Sequence, residues 1–303
     1  MEKISFEGRV AVITGGARGL GRSYADLLGA RGAQLVLNDF GGAIDGRETA
    51  SGPLETAVDE LRAQGVKVEP VFGDIGNPET ADAIVDAAIA AYGRVDVVIN
   101  NAGAHRTDTR LGKLNFDDLM YSVRSHLGGS AALINRAWPH MMEQGYGRIV
   151  NTSSGAVFGA PNLIYGAAKG GIFTLTRSVQ TAVAATGADI AVNAVMPEAW
   201  TRMTENGLVG AMREKVSTHY TVDRVAQFVV LLASRECPWR GSWFEVGDGN
   251  VTRVMLGATN GFKPGDAELS PELYLAHAAD IENLDGLAFP QNIGELFAIN
   301  DVR

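Results

Sequence analysis

Tyr165 and Lys169 stand four residues apart in Tyr165-Gly-Ala-Ala-Lys169, and Ser154 precedes the phenol by eleven positions. If the segment is helical, residues at i and i+4 share one face, a turn apart. An ammonium near a phenol favours the phenolate, so a tyrosine with a free pKa of about 10 could exchange a proton at lower pH. That chemistry suits an acid/base working on an alcohol. The same spacing also arises on any solvated helix surface, so its meaning rests on the segments that would position it.

The chain has 303 residues, 46% of them hydrophobic and 20% charged, enough to bury a sizeable core in one large α/β domain. With a net charge of -9 and scattered basic residues, neither nucleic acid nor an anionic membrane is an expected partner. Cys237 is the lone cysteine and the five histidines form no His-x-x-x-His pair, so neither an internal disulfide nor a metal centre is expected. The apolar run Val10-Ala-Val-Ile-Thr14 is too short to be a signal core or a membrane span. A cytoplasmic protein without membrane insertion is the expectation.

From that run onward, short apolar stretches alternate with longer amphipathic ones, which predicts a single Rossmann-type, doubly wound parallel sheet of about seven strands. Strands are predicted near 9–14, 34–39, 66–72, 95–100, 147–152, 188–195 and 242–246. Helices are predicted near 20–31, 53–64, 78–92, 115–143, 163–186 and 221–234. Continuous apolar runs such as Val95-Asp-Val-Val-Ile99 suit strands covered on both faces. Composition changes after about residue 258, where prolines and glycines punctuate the chain. The expected organisation is therefore a domain over 1–258 and an extension over 259–303 that packs on the domain or on a neighbouring subunit.

Thr14-Gly-Gly-Ala-Arg-Gly-Leu-Gly21 follows the first strand directly and opens a helix. Gly15, Gly19 and Gly21 permit a tight turn and close backbone approach, and the helix N-terminus offers free amides to a pyrophosphate. Arg18 and Leu20 lie in the same turn. Asp39 ends the second strand, where a carboxylate can accept hydrogen bonds from the adenosine ribose hydroxyls and repel a 2′-phosphate, favouring NAD over NADP. Arg18 pulls the other way, and Asp39 before Gly41-Gly42 also reads as a simple turn former.

Together these segments resemble the short-chain dehydrogenase/reductase family over about residues 7–250. Besides the glycine turn and Tyr-x-x-x-Lys, the resemblance includes Gly73-Asp-Ile75, Asn100-Asn-Ala-Gly103, Arg148-Ile-Val-Asn-Thr-Ser-Ser154 and Val192-Asn-Ala-Val-Met-Pro197 followed by Thr201. It implies that Asp74 and Ile75 contact the adenine, that Asn101, Ala102 and Gly103 line the cofactor cleft, and that Pro197 and Thr201 flank the nicotinamide. It also implies that Tyr165 takes the alcohol proton, that Ser154 orients the oxygen, and that Lys169 lowers the Tyr165 pKa and holds the nicotinamide ribose. Pairing into a homodimer or homotetramer through 115–143 and 163–186 is implied as well.

Three departures from the family pattern bear on the site. Only ten residues separate Ser154 from Tyr165 where the family usually has twelve, which puts Thr152 at the nominal spacing and makes Ser153 a reserve for Ser154. His126 stands where the family commonly has an Asn that supports a proton-relay water; the position makes it a relay candidate, although a histidine on a helix is also a common structural residue. Pro197-Glu198 replaces Pro-Gly, which would place a carboxylate near the nicotinamide or the substrate mouth.

Within the family, Asn38-Asp-Phe-Gly-Gly42, the insert 41–53, Arg202-Met-Thr204 and Phe244-Glu-Val-Gly247 are similar to the dehydrogenase units of peroxisomal multifunctional enzymes and their bacterial single-domain relatives. That likeness implies oxidation of a (3R)-hydroxyacyl-CoA or a hydroxysteroid, by a chain acting alone. The apolar residues Val157, Phe158, Pro161, Leu163, Ile164, Ala199, Trp200, Met203, Leu208, Val209 and Met212 predict a bulky apolar alcohol or ketone as substrate. Arg202, Arg213 and Lys215 are the clustered cations for a thioester's phosphates. A terpenoid alcohol, a catalytically silent dinucleotide binder and a nucleotide-sugar epimerase are the alternatives, the last wanting a larger substrate domain than the tail provides.

Overall fold

A computed structural model describes residues 3–104, 112–160, 162–205 and 210–299. Eight strands form one sheet: β1 Val10–Thr14, β2 Gln34–Asp39, β3 Val68–Phe72, β4 Val97–Asn100, β5 Tyr146–Thr152, β6 Asp189–Glu198, β7 Trp243–Gly247 and β8 Asn250–Val254. Their order is β3-β2-β1-β4-β5-β6-β7-β8, and the registered pairs from β3 through β7 are all parallel. The chain winds outward in both directions from the β1/β4 boundary, so a crevice opens there beyond the strands' carboxyl ends. Expected strands number about seven; the eighth is a correction. Asp248 and Gly249, both with positive φ, turn β7 back into β8 by a two-residue hairpin.

Both sheet faces are covered. On one, α1 Gly19–Gly29, α2 Gly52–Ala63 and α9 Val222–Ala233 bury Tyr24, Leu28, Leu61 and Val229 against Ile13, Leu37 and Phe244. On the other, α3 Pro78–Tyr92, α5 Gly129–Gln144 and α6 Leu163–Ala184 bury Ile84, Leu133 and Val183 against Val12, Val98 and Ile149. Each such side chain contributes about 1.5–3 kcal/mol, which explains why these strands are apolar at successive positions. Before α5 the chain forms α4 Phe116–Val123 and then a π-turn over Arg124–Gly128, so the long helix expected over 115–143 is two helices joined by a bulge. After β6 come α7 Arg202–Glu205 and α8 Gly210–His219, in which no residue is buried.

The chain divides into two compact units, Met1–Arg253 and Val254–Arg303. In the second unit, Ser270 caps α10 Pro271–Ala276 by accepting from the Leu273 amide at 3.1 Å. Helices α11 Ala278–Glu282 and α12 Ile293–Ile299 follow, and the Phe262 and His277 rings stack at 3.9 Å. Among the described residues, no helix is long and apolar enough to cross a membrane, and no group of three or more His, Cys, Asp or Glu could hold a metal ion.

Candidate active site

The turn after β1 closes around three glycines, each of which a side chain would strain. Gly15 and Gly19 have φ of +63° and +56°, and a Cβ on Gly21 would run into the carbonyl oxygen of Gly15. Thr14 and Asn101 tie this turn to β4: the Asn101 and Ala102 amides each donate to Thr14 Oγ1 at 3.0 Å, while Asn101 Nδ2 donates to the Thr14 and Gly15 carbonyls. Asp39 ends β2 beside the turn, accepting from Ala17 N at 3.0 Å and from Gly41 N at 2.7 Å. It is thus both turn former and cavity wall.

A cavity of about 500 Å³ runs along the carboxyl edge of the sheet. Gly15, Arg18, Gly19, Leu20 and Asp39 line its β1/β2 end, and Asp74 and Ile75 its side; Gly21 lies beneath the turn rather than on the cavity. Asn101, Ala102 and Gly103 form the middle, and Pro197 and Thr201 the opposite wall. At the far end stand His126, Thr152, Ser153, Ser154, Tyr165 and Lys169.

Helix α6 presents the last two residues. Asn162 caps it by accepting from the Tyr165 amide at 3.0 Å, which fixes the first turn and sets Tyr165 and Lys169 on the face toward β5. Burial pushes the Tyr165 phenol above its usual pKa, and a hydrogen bond with the Ser154 hydroxyl pulls against that rise. Ser153 turns away, donating to the Lys169 carbonyl at 2.9 Å, and the buried Thr152 hydroxyl has no hydrogen-bond partner among the described residues. Geometry therefore brings Ser154 to the phenol, despite the short spacing, because the strand end and not the loop sets the position.

Lys169 is 4% exposed, and its Nζ donates to the Thr152 carbonyl at 2.7 Å. With no carboxylate to offset burial, its pKa falls to about 7. Its Nζ lies 5.6 Å from the centre of the Tyr165 ring. Burial drives both groups toward their neutral forms.

His126 sits in the π-turn, a bulge that re-aims a side chain out of regular helical register. The ring is buried and edge-on to Tyr165, with centroids 5.5 Å apart. Its Nε2 is 2.8 Å from the Ala104 carbonyl, which can only accept, so Nε2 carries the proton. A Cβ on Gly103 would strike this imidazole, which explains the glycine in Asn-Asn-Ala-Gly. Nearby, Asn100 donates to Asn151 at 2.8 Å and Asn151 to Thr176 at 3.0 Å, a buried chain locking β4, β5 and α6 together.

Several expected placements change. Glu198 does not line the cavity; its carboxyl meets that of Glu245 on β7, and burial together with this hydrogen bond raises its pKa. β6 continues through Pro197-Glu198, so strand alternation turns the side chain away from the cleft. Of the apolar residues expected to shape the substrate end, Ala199 and Met203 line the cavity, whereas Phe158 and Met212 are exposed and Ile164 is buried elsewhere. Pro161, Leu208 and Val209 lie outside the described residues. Arg213 is 3.1 Å from Glu205 and lies over the Trp200 ring, apart from Arg202, which reaches the cavity.

Sequence reasoning missed Phe40, Ala43, Ile44 and Tyr121 as cavity residues. The insert after β2 folds back toward α4, where Tyr121 Oη donates to the Gly46 carbonyl at 3.3 Å and Arg47 approaches Asp118 at 3.8 Å. Its glycines placed directly after Asp39 were the available signal.

Comparison with known proteins agrees with this arrangement. Residues 9–207 match the family described as short chain dehydrogenase. The chain is 34% identical over 298 residues to the peroxisomal multifunctional enzyme type 2 of Mus musculus, covering 96% of this chain but 39% of that protein. It is 35% identical over 280 residues to a putative short-chain type dehydrogenase/reductase of Mycobacterium tuberculosis, covering 92% of this chain and 95% of that one. The crystal structure of carveol dehydrogenase from Mycobacterium avium in complex with NAD superposes with a TM-score of 0.72 at 26% identity, covering 82% of this chain and 99% of that one. This chain belongs to the short-chain dehydrogenase family.

Proposed function

We propose that the chain is an NAD-dependent dehydrogenase that interconverts a secondary alcohol and its ketone on a bulky apolar substrate, a hydroxysteroid or a (3R)-hydroxyacyl-CoA. One observation carries this reading: a single cavity joins the glycine turn and Asp39 to a partly buried Tyr165 that is hydrogen-bonded to Ser154. The cavity fits a dinucleotide, because its β1/β2 end is a backbone cradle whose close turn depends on Gly15 with positive φ and on Gly21, where a Cβ would displace the Gly15 carbonyl.

Gly15, Gly19, Leu20 and the start of α1 would hold the diphosphate, Asp39 the adenosine ribose, and Asp74 and Ile75 the adenine. Asn101, Ala102, Gly103, Pro197 and Thr201 would line the nicotinamide half. When bound, the nicotinamide supplies the hydride acceptor at its C4. Ser154 then orients the substrate oxygen and Tyr165 exchanges its proton, as base in oxidation and as acid in reduction. Lys169, whose pKa burial lowers to about 7, would hydrogen-bond the nicotinamide ribose. His126, edge-on to the phenol, stands in the relay position.

Ala199 and Met203 at the cavity wall support an apolar substrate, and the relative solved with NAD is named for the alcohol carveol. We expect a homodimer or homotetramer built on 115–143 and 163–186, where Phe116 and Leu163 stand exposed. Light scattering at micromolar concentration tests this, and a monomer contradicts it. Following NADH formation with hydroxysteroids, (3R)-hydroxyacyl-CoA esters and terpenoid alcohols tests the function. Turnover of small polar polyols alone would overturn the apolar reading.

A further inference from the structure

Between β2 and α2 the chain makes an excursion over residues 40–51, where about 2–6 residues suffice for such a connection. Hydrogen bonds across its base close it into a strap: Ala50 N donates to the Phe40 carbonyl at 3.1 Å, and Ala43 N to the Glu48 carbonyl at 3.3 Å. A Cβ on Gly41, whose φ is +67°, would strike the Ala50 carbonyl, so the closure depends on that glycine. The strap is tied on two sides. Arg18, in the glycine turn, donates through Nη2 to the Gly42 carbonyl at 3.0 Å. Tyr121, on α4, donates through Oη to the Gly46 carbonyl at 3.3 Å, and Arg47 approaches Asp118 of the same helix at 3.8 Å. Phe40, Gly42, Ala43 and Ile44 line the cavity next to Asp39.

A guanidinium at this end of the cavity has two possible uses. Its fork matches the oxygens of a 2′-phosphate, and it equally well donates to a carbonyl. Arg18 makes the second choice, so meeting a phosphate would mean releasing Gly42 and the wall that continues from it. Asp39 is held just as firmly. Its two carboxylate oxygens accept from the Ala17 and Gly41 amides, which keeps the negative charge from swinging away from an added phosphate. Repulsion by Asp39 and a tethered wall therefore act in the same direction.

We infer that the strap, held by Arg18 from the glycine turn and by Tyr121 from α4, closes on an unphosphorylated adenosine ribose and bars a 2′-phosphate. Arg18 is then a positioning residue for the strap and not a ligand of that phosphate. Tyr121 is a second positioning residue, brought to the same loop from a distant part of the sequence. The inference rests on the dinucleotide reading of the cavity and adds to Asp39 a determinant of cofactor choice that lies in the strap. A 2′-phosphorylated ligand has to displace the strap, so it loses little when the ties are cut; an unphosphorylated one loses the wall.

Calorimetric titration of the parental protein, Arg18→Met, Tyr121→Phe and Gly46→Ala with NAD, NADP, AMP and adenosine 2′,5′-bisphosphate decides the matter, once circular dichroism has shown that the folds agree. Gly46 does not line the cavity, yet at a φ of +74° a Cβ there is strained and strikes the Tyr121 hydroxyl, so Gly46→Ala shifts the strap without changing a lining residue. The parental protein is expected to bind NAD and AMP at least about tenfold more tightly than NADP and the bisphosphate. Each variant should weaken NAD and AMP about three- to tenfold and narrow that preference. A loss confined to NADP and the bisphosphate in Arg18→Met makes Arg18 a phosphate ligand and overturns the inference. Equal weakening of all four ligands, or no change in any variant, also overturns it. Failure of the parental protein to bind any dinucleotide would instead overturn the reading of the cavity itself.

Discussion

The acid/base end and the cover of the same cavity are built on opposite plans. Lys169, Ser153, Thr152 and His126 are buried within a hydrogen-bonded frame that reaches from β4 through β5 to α6. Helices α7 and α8, which follow β6, bury nothing. A buried polar frame admits few substitutions, because each broken hydrogen bond strands a partner at a cost of about 1–3 kcal/mol. An exposed cover carries no such constraint and can vary with the substrate. Chemistry is thus stored where packing is dense, and specificity where it is sparse.

The sharpest way to break this comparison is Tyr165→Phe, which removes one hydroxyl from the frame. Turnover is expected to fall by about 10²–10⁴-fold, while NAD affinity and melting temperature stay near parental values, as steady-state kinetics and calorimetry would show.

Lys169→Met is expected to separate activity from stability. Turnover should fall by about 10²-fold or more, yet the protein without cofactor should become more stable by a few kcal/mol at or below pH 7. The sign follows from the lowered pKa of about 7 against 10.5 in the unfolded chain. The unfolded state binds more protons between those values, so the penalty for burying the ammonium is full below pH 7 and fades as pH rises toward 10.5. Denaturant titrations at pH 6 and pH 9 check this, and a methionine variant less stable at pH 6 contradicts it.

A pH profile sharpens the same point. With the Tyr165 phenol raised by burial, alcohol oxidation should climb through the alkaline range, where the phenolate forms, while ketone reduction persists at neutral pH. An oxidation rate falling from pH 7 to pH 9 in a stable protein runs against this. For His126, Asn should retain much of the activity and Leu should lose it; equal kinetics in both would return the ring to packing alone. Smallest of all, Arg213→Ala in the cover should change stability by less than about 1 kcal/mol, since its pair with Glu205 is exposed.

The buried frame is legible in the sequence and the cover is not, for one physical reason. Strands such as β1, β2 and β4 are marked by consecutive apolar residues because both of their faces pack against helices. Residues 199–219 leave no such mark: helices that bury nothing impose no periodicity, so the pattern shows neither α7 nor α8 and groups Arg202 with Arg213. The exposed β8 is hidden likewise. The π-turn is concealed because Arg124-Ser-His-Leu-Gly128 continues a helical pattern, and the tertiary contacts of His126 with Gly103, Ala104 and Tyr165 are what distinguish it. Glu198 is misplaced when β6 is taken to end before Pro197.

The most direct test is NADH formation by the parental protein and Tyr165→Phe, each first shown to bind NAD, with the panel of hydroxysteroids, (3R)-hydroxyacyl-CoA esters and terpenoid alcohols. The expected result is NAD-linked oxidation of at least one of these by the parental protein and a drop of about 10²-fold or more in the phenylalanine variant at equal NAD affinity. Turnover by the variant at the parental rate would contradict the assignment of Tyr165 as the proton-transfer group.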